Sequence, residues 1–153
     1  MLYNCLVAFS NIVALAPLHT ALQHNDYGTL TTIGFVASMS FLSHLVENHK
    51  HGMKGIGFSQ NVSYILNRLD VLGCVVTSSW FTYLYVTKYG YNLNIVMNNK
   101  LLFLLYASPI ILLRISEYDK YNAKHRNMYI VSHIMWHASI FYVMNHFMTR
   151  FIY

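Results

Sequence analysis

The chain has 153 residues, of which 56% are hydrophobic and only 10% are charged. Soluble domains carry about 25% charged residues, so this composition argues against a soluble fold and favours a protein embedded in a bilayer. The net charge of +5 comes from basic residues confined to a few loops. That pattern indicates contact with lipid headgroups and a fixed membrane orientation, not nucleic-acid binding.

Five apolar stretches follow one another along the chain, and each ends in a polar or glycine-containing turn. About 20 mostly apolar residues are needed to cross a bilayer as a helix. The predicted spans cover residues 2–22, 29–47, 62–86, 101–115 and 128–149. Pro109 predicts a kink in the fourth span, and a charged loop is expected over residues 114–126. No repeat or linker divides the chain, so residues 1–153 are predicted to form one all-α, multi-pass transmembrane bundle.

Basic residues are divided unevenly between the two ends of these predicted helices. The side that holds the N-terminus carries seven of them: Lys50, Lys54, Arg68, Arg114, Lys120, Lys124 and Arg126. The opposite side carries three: Lys88, Lys100 and Arg150. Cytoplasmic loops are enriched in Lys and Arg, so the distribution predicts a cytoplasmic N-terminus.

Three of the predicted spans contain polar or ionisable side chains. Ser40 and His44 lie in the second span, Asp70 lies in the third, and His133 and His137 lie in the fifth. An ionisable group inside a bilayer is costly, and it usually has a partner and a function. The predicted topology places all five groups at similar depth near the same basic face. This common depth favours one shared site.

These residue types match the components of a catalytic zinc centre. His133 and His137 are spaced i, i+4 and therefore project from one helical face. With His44 they would supply three imidazoles and leave a fourth position open for water, as in catalytic zinc sites. Asp70 could accept a proton or hold a ligand histidine. Ser40 could donate a hydrogen bond to the oxyanion of a tetrahedral intermediate.

Simpler explanations exist for each residue taken alone. A histidine pair at i, i+4 often only hydrogen-bonds within a core, and a helical serine often bonds to the preceding turn. Glu47 could join the rim of the site or simply lie at the interface. The remaining histidines are predicted to lie in loops or near helix ends: His19, His24, His49, His51, His125 and His146.

The order of these motifs resembles the CREST superfamily of membrane hydrolases. That superfamily includes alkaline ceramidases, progestin/adiponectin receptors, haemolysin III relatives and a GPI-processing phospholipase A2. Its pattern is Ser-x-x-x-His in the second helix, Asp in the third and His-x-x-x-His in the last. Residues 132–137, Ser-His-Ile-Met-Trp-His, are also similar to the His-x-x-Trp-His of the ceramidase and phospholipase branches. Residues 69–73, Leu-Asp-Val-Leu-Gly, are similar to the start of their third helix.

The resemblance implies Zn²⁺ held by His44, His133 and His137, with Asp70 and Ser40 assisting. It further implies hydrolysis of an amide or ester bond in a membrane lipid substrate. The chain departs from the family in having room for about five helices, where the family has seven. It also lacks the acidic N-terminal calcium site of alkaline ceramidases. A bundle that lacks two helices keeps the motif residues on the same side of the membrane, but it encloses a cavity that is smaller or more open to lipid.

Other function classes remain as alternatives. A receptor-like or scaffolding membrane protein would keep the zinc for structure alone. A bis-histidine haem carrier would not require Ser40 or Asp70. A metal transporter would have polar groups continuing across the bilayer, whereas here they cluster near one face. The sequence specifies neither the lipid nor the organelle nor the oligomeric state.

Overall fold

The structure is a computed structural model that describes residues 2–47, 55–57 and 59–153. Within these residues the chain is helical, with five long helical segments and no strand. A 3₁₀ turn at Ser10–Ala14 divides the first segment into two helices. The helices are α1 (Leu2–Phe9), α2 (Leu15–Gln23), α3 (Tyr27–Val46), α4 (Gln60–Tyr89), the short α5 (Asn94–Met97), α6 (Lys100–Tyr121) and α7 (Arg126–Phe147). The predicted all-α class with five long segments is confirmed.

The end of α6 differs from the sequence prediction. A loop was expected from residue 114, but α6 continues to Tyr121 and passes through Pro109 as an unbroken helix. Residues 116–120 are polar but contain neither Gly nor Pro, so they end the apolar stretch without ending the helix. Ser116 and Asp119 are buried by this extension. The polar C-terminal part of α6 therefore contributes side chains to the interior of the bundle.

Among the described residues, four helical segments are long and apolar enough to cross a membrane: 2–23, α3, α4 and α6. The fifth predicted span corresponds to α7, which has the same length as α6 but is not one of these four. Its histidines lower its hydropathy, and His133 and His137 are buried. Lys50 and Lys54, which contribute to the predicted orientation, and His49 and His51 lie outside the described residues.

The 3₁₀ turn in the first segment has a local cause in Pro17. Proline lacks a backbone N–H and its ring crowds the carbonyl four residues earlier, which here belongs to Val13. The chain responds by tightening into a 3₁₀ turn just before α2. This turn brings Asn11 into the interior, with only 6% of its surface exposed.

The helices pack as two pairs joined by the first segment. α4 packs along α3, and α6 packs along α7. The N-terminal segment contacts both α3 and α7, the two helices that contain the predicted metal ligands. The largest apolar core joins these elements and consists of Ala14, Ala21, Ile33, Val36, Phe141 and Met148. A cavity remains between the two pairs.

The turn that leads into α3 is closed by Asp26. Its carboxylate accepts hydrogen bonds from the backbone N–H of Thr29 at 2.9 Å, from the Thr29 hydroxyl at 2.6 Å and from the Tyr153 hydroxyl at 2.9 Å. Burial acts to raise the pKa of Asp26, but these hydrogen bonds outweigh it and hold the pKa below its ordinary value. Asp26 is therefore an N-cap that also ties the last residues of the chain to α3.

The backbones of α3 and α4 lie close together at Gly73. A Cβ atom at this position would lie 3.0 Å from the Cα atom of Val36 and 3.1 Å from its side chain. Small residues allow helix backbones to pack closely in this way. Gly73 is one turn after Asp70, and Val36 is one turn before Ser40, so this contact also sets the spacing between Asp70 and Ser40.

Gly73→Ala is expected to destabilise the protein, because the added methyl group would force α4 away from α3. Overpacking of this kind costs about 1–3 kcal/mol, which thermal unfolding in detergent would detect as a lower Tm. Gly34→Ala is a matched control, since it lies in α3 and its added Cβ would meet its nearest neighbour, Leu18, at 3.9 Å. Equal Tm values for the two variants would contradict the close approach.

Candidate metal centre

Three histidine side chains meet in the interior of the bundle. His44 lies near the end of α3, and His133 and His137 lie one turn apart on α7. One ring nitrogen from each lies within 4.8 Å of the others. The three residues are 5%, 6% and 1% exposed, respectively. They are therefore close enough to bind one metal ion together.

The ring of His44 is held by Glu47, the C-cap residue of its own helix, and this end of α3 is joined to α6 and α1. Its Nδ1 atom lies 3.3 Å from Oε2 of Glu47, and Glu47 forms an ion pair with Lys120 of α6. A carboxylate only accepts hydrogen bonds, so Nδ1 donates and Nε2 is the nitrogen left to face the other two histidines. Asn4 of α1 donates to the backbone carbonyls of His44 at 3.0 Å and Glu47 at 2.7 Å. α1 thus caps the end of α3 where this ligand lies.

The ring of His137 is held by Ser10 in the 3₁₀ turn. Its Nδ1 atom lies 2.6 Å from Oγ of Ser10, whose hydroxyl donates to the carbonyl of Val7 at 2.6 Å. His137 also forms a hydrogen bond with the backbone of Val7, and a carbonyl only accepts, so we assign the proton of the ring to Nδ1. Nε2 of His137 is therefore an acceptor, and it lies 3.4 Å from Oγ of Ser40.

His133 completes the cluster from the next turn of α7. Its Nδ1 atom lies 2.7 Å from Oγ of Ser116 on α6, and its Nε2 atom lies 3.0 Å from Nε2 of His44. Nε2 of His44 thus points at His133, and the contact requires a proton or a cation between the two rings. Two nitrogen ligands of a tetrahedral zinc ion are about 3.3 Å apart, given zinc–nitrogen bonds of about 2.05 Å. The observed separation of 3.0 Å is close to this distance, and it is also an ordinary hydrogen-bond distance.

Ser40 and Asp70 lie beside His137 at the end of the cavity. Ser40 is one turn before His44 on α3, and its hydroxyl lies next to the Asp70 carboxylate. Asp70 is 9% exposed, and its Oδ1 atom has no hydrogen-bond partner in the part of the chain that the structure describes. A buried acceptor of this kind is costly unless a ligand or water satisfies it.

The cavity has a volume of about 230 Å³ and lies between α3, α4, α6 and α7. Ser40, Asp70 and His137 form a polar end, and most of the remaining wall is apolar. Apolar lining residues include Val36, Leu113, Trp136, Phe141 and Met144. Ile110, at the cavity edge, is 67% exposed, so the cavity opens at the surface of α6. An apolar pocket with a few converging polar groups is typical of a ligand-binding site.

The structure brings together all five residues that the sequence indicated, and it adds three that the sequence analysis missed. These are Ser10, Asn11 and Ser116. Asn11 lines the cavity, and its buried Oδ1 atom has no hydrogen-bond partner among the described residues. The only sequence signal for Ser10 and Asn11 was a polar pair inside an apolar span. Glu47, considered only for the rim, contacts His44 directly.

Other histidines take part in separate contacts. His125 lies 3.2 Å from Asp119 in the turn between α6 and α7. His146 lies 2.9 Å from the hydroxyl of Tyr106, three turns of α7 away from the cluster. His125 lies in a turn and His146 lies in the last turn of α7, in line with the predicted positions in loops or near helix ends.

Comparison with known proteins gives one close relative. Over 150 residues the chain is 49% identical to "Uncharacterized protein L282" of Acanthamoeba polyphaga mimivirus, and the match covers 98% of the chain and 99% of that protein. The chain belongs to the same family as this viral protein. The match spans nearly the full length of both proteins. No family model matches the chain, and no solved structure matches it.

Proposed function

We propose that this protein is a membrane-embedded, zinc-dependent hydrolase that cleaves an amide or ester bond of a lipid, as a shortened member of the CREST superfamily. One observation supports this most strongly: three buried histidines lie close enough to hold one metal ion, and one of them, His137, lines an otherwise apolar cavity together with Ser40 and Asp70. A lipid has the matching shape, with a polar scissile group next to an apolar chain. Catalytic zinc is commonly held by three protein ligands with one position left open.

The residues present fit a zinc ion by their chemistry. Three neutral imidazoles form a donor set that suits zinc, and hydrogen-bonded Nδ1 atoms are usual for histidine ligands. His44, His133 and His137 would hold the ion through Nε2. A bound zinc ion supplies Lewis acidity, polarising a carbonyl oxygen and lowering the pKa of water to about 7.

The groups around the cluster can perform the remaining steps of hydrolysis. Asp70 can accept a proton from the attacking water, because its Oδ1 atom is free of other described partners and faces the cavity end. Ser40 can donate a hydrogen bond to the oxygen of the scissile carbonyl as negative charge develops there. The apolar wall can hold an acyl chain and exclude water, which strengthens both interactions.

The membrane assignment rests on the four long apolar segments and on their exposed surfaces. Residues such as Val75 on α4 and Ile111 on α6 are 58% and 54% exposed, which suits contact with hydrocarbon and not with water. The uneven distribution of basic residues supports a cytoplasmic N-terminus. The open cavity edge at Ile110 would then face lipid.

The metal content of the purified protein tests the proposal directly. We expect about one zinc ion per chain by mass spectrometry, and we expect His133→Ala to lose it because a buried ligand is removed. His146→Ala is a matched control, since it lies on α7 but contacts Tyr106. A wild-type protein that contains no metal, or that shows a haem Soret band, would contradict the proposal.

Activity is tested by fatty-acid release from a panel of ceramides and phospholipids in mixed micelles. Release from one lipid class would identify the scissile bond as an amide or an ester. A zinc-loaded protein that released nothing from any of them would favour the receptor-like alternative, in which zinc has a structural role.

A further inference from the structure

Two helical segments contain none of the five residues that the sequence indicated. The first is formed by α1 and α2, and the second is α6. Both nevertheless contact the metal centre. α1 and the 3₁₀ turn pack against α3 and α7, and α6 packs along α7. We propose that Ser10, Glu47 and Ser116 are positioning residues that orient the three histidine rings so that each presents Nε2 to one metal ion. This inference rests on the metal-binding part of the proposed function.

Ser10 gives the clearest case, because Ser10 and the backbone of Val7 both contact His137. The Ser10 hydroxyl lies 2.6 Å from Nδ1 of His137 and 2.6 Å from the carbonyl of Val7, and His137 also forms a hydrogen bond with the Val7 backbone, which favours a proton on Nδ1. The ring is therefore held with its proton on Nδ1 and its lone pair on Nε2, which is the form that binds metal. His137 is 1% exposed, so solvent does not replace Ser10 at this position.

α6 supports the other two rings from a single face. Ser116 contacts Nδ1 of His133, and Lys120, one turn later, forms an ion pair with Glu47, which contacts Nδ1 of His44. A carboxylate on a ligand histidine raises the basicity of that ligand and fixes its tautomer. A helix without a ligand of its own thus holds two of the three ligands in place. The N-terminal segment holds the third.

These contacts predict a measurable effect on metal affinity. Loss of an outer hydrogen-bond partner typically weakens metal binding about 10- to 100-fold. We expect Ser10→Ala and Ser116→Ala to weaken zinc binding by about this factor in competition with a chromogenic chelator. Each should also alter the visible absorption spectrum of the cobalt-substituted protein, because the ligand rings are free to reorient.

Conservative and control variants separate positioning from general destabilisation. Ser10→Thr keeps the hydroxyl and should restore both affinity and cobalt spectrum. Ser108→Ala removes a hydroxyl from α6 that bonds to the carbonyl of Leu105, and it should change neither. The Tm of each variant in chelator reports whether the metal-free fold is intact.

The outcomes distinguish this inference from the function on which it rests. Wild-type affinity and an unchanged cobalt spectrum in both Ser10→Ala and Ser116→Ala would overturn the positioning role while leaving the metal site in place. A wild-type protein that binds neither zinc nor cobalt would overturn the proposed function itself. Weakened zinc binding in Ser10→Ala together with wild-type binding in Ser10→Thr would support the positioning role.

Discussion

Asp70→Asn is expected to reduce lipid hydrolysis at least about 100-fold while leaving about one zinc ion bound per chain, because general acid–base groups typically contribute about 10²- to 10⁴-fold to rate. Asparagine has nearly the same shape as aspartate but cannot accept the proton. Asp70 lies beside the histidine cluster and is not one of its members, so metal retention is expected. Fatty-acid release and zinc content, measured on the same preparation, check both parts.

Asp26→Asn is the matched control for this substitution. It makes the same chemical change at the N-cap of α3, where asparagine caps about as well as aspartate. Its hydrolysis rate should equal that of the wild type. Loss of zinc in Asp70→Asn would indicate that Asp70 is a metal ligand. An unchanged hydrolysis rate would indicate that another group is the general base.

The helical framework was largely predictable because each helix is encoded by its own local composition. The predicted span over residues 29–47 differs from α3 (Tyr27–Val46) by only one or two residues at each end. The predicted end of α6 was wrong, because hydropathy indicates where a helix leaves an apolar environment and not where the helix ends. Where the backbone stops being helical depends on caps and breakers, and the first of these after residue 115 is Asn122.

The histidine pair on α7 was predictable from spacing alone, since i, i+4 fixes both side chains on one face. The hydrogen-bond partners of those two rings were not predictable from the sequence. Whether Ser10 meets His137 depends on how the first segment is rotated relative to α7, and no spacing within either segment specifies that rotation. The 3₁₀ turn before Pro17 contributes to this rotation, because the tighter turn changes the direction in which its side chains project.

The contribution of α6 escaped prediction for a related reason. Ser116 and Lys120 belong to a stretch that was expected to be a loop, and a loop has no defined face. Only when the helix is known to continue do these two residues fall on one side, facing His133 and Glu47. Errors in helix boundaries therefore propagate into missed contacts at the site.

Removing zinc with a chelator is expected to lower the Tm of the wild type by about 5–10 °C. Zinc would join α3 to α7 and bind only the folded state. At a free zinc concentration of 100 times Kd, this binding adds about 2.7 kcal/mol of stability. For a chain of this size, about 2–4 °C of Tm correspond to each kcal/mol. Thermal unfolding in detergent, with and without chelator, measures the shift.

His137→Leu should abolish this shift, because it removes one of the three metal ligands. His137 is 1% exposed, and the substitution also removes the 2.6 Å hydrogen bond between its Nδ1 atom and Ser10. Loss of a buried hydrogen bond costs stability with or without metal. The Tm of His137→Leu should therefore be the same with and without chelator, and it should not exceed that of the metal-free wild type. A chelator-induced fall in the Tm of His137→Leu as large as that of the wild type would mean that the stabilising metal binds elsewhere, because this variant lacks one of the three nitrogens on which the centre depends.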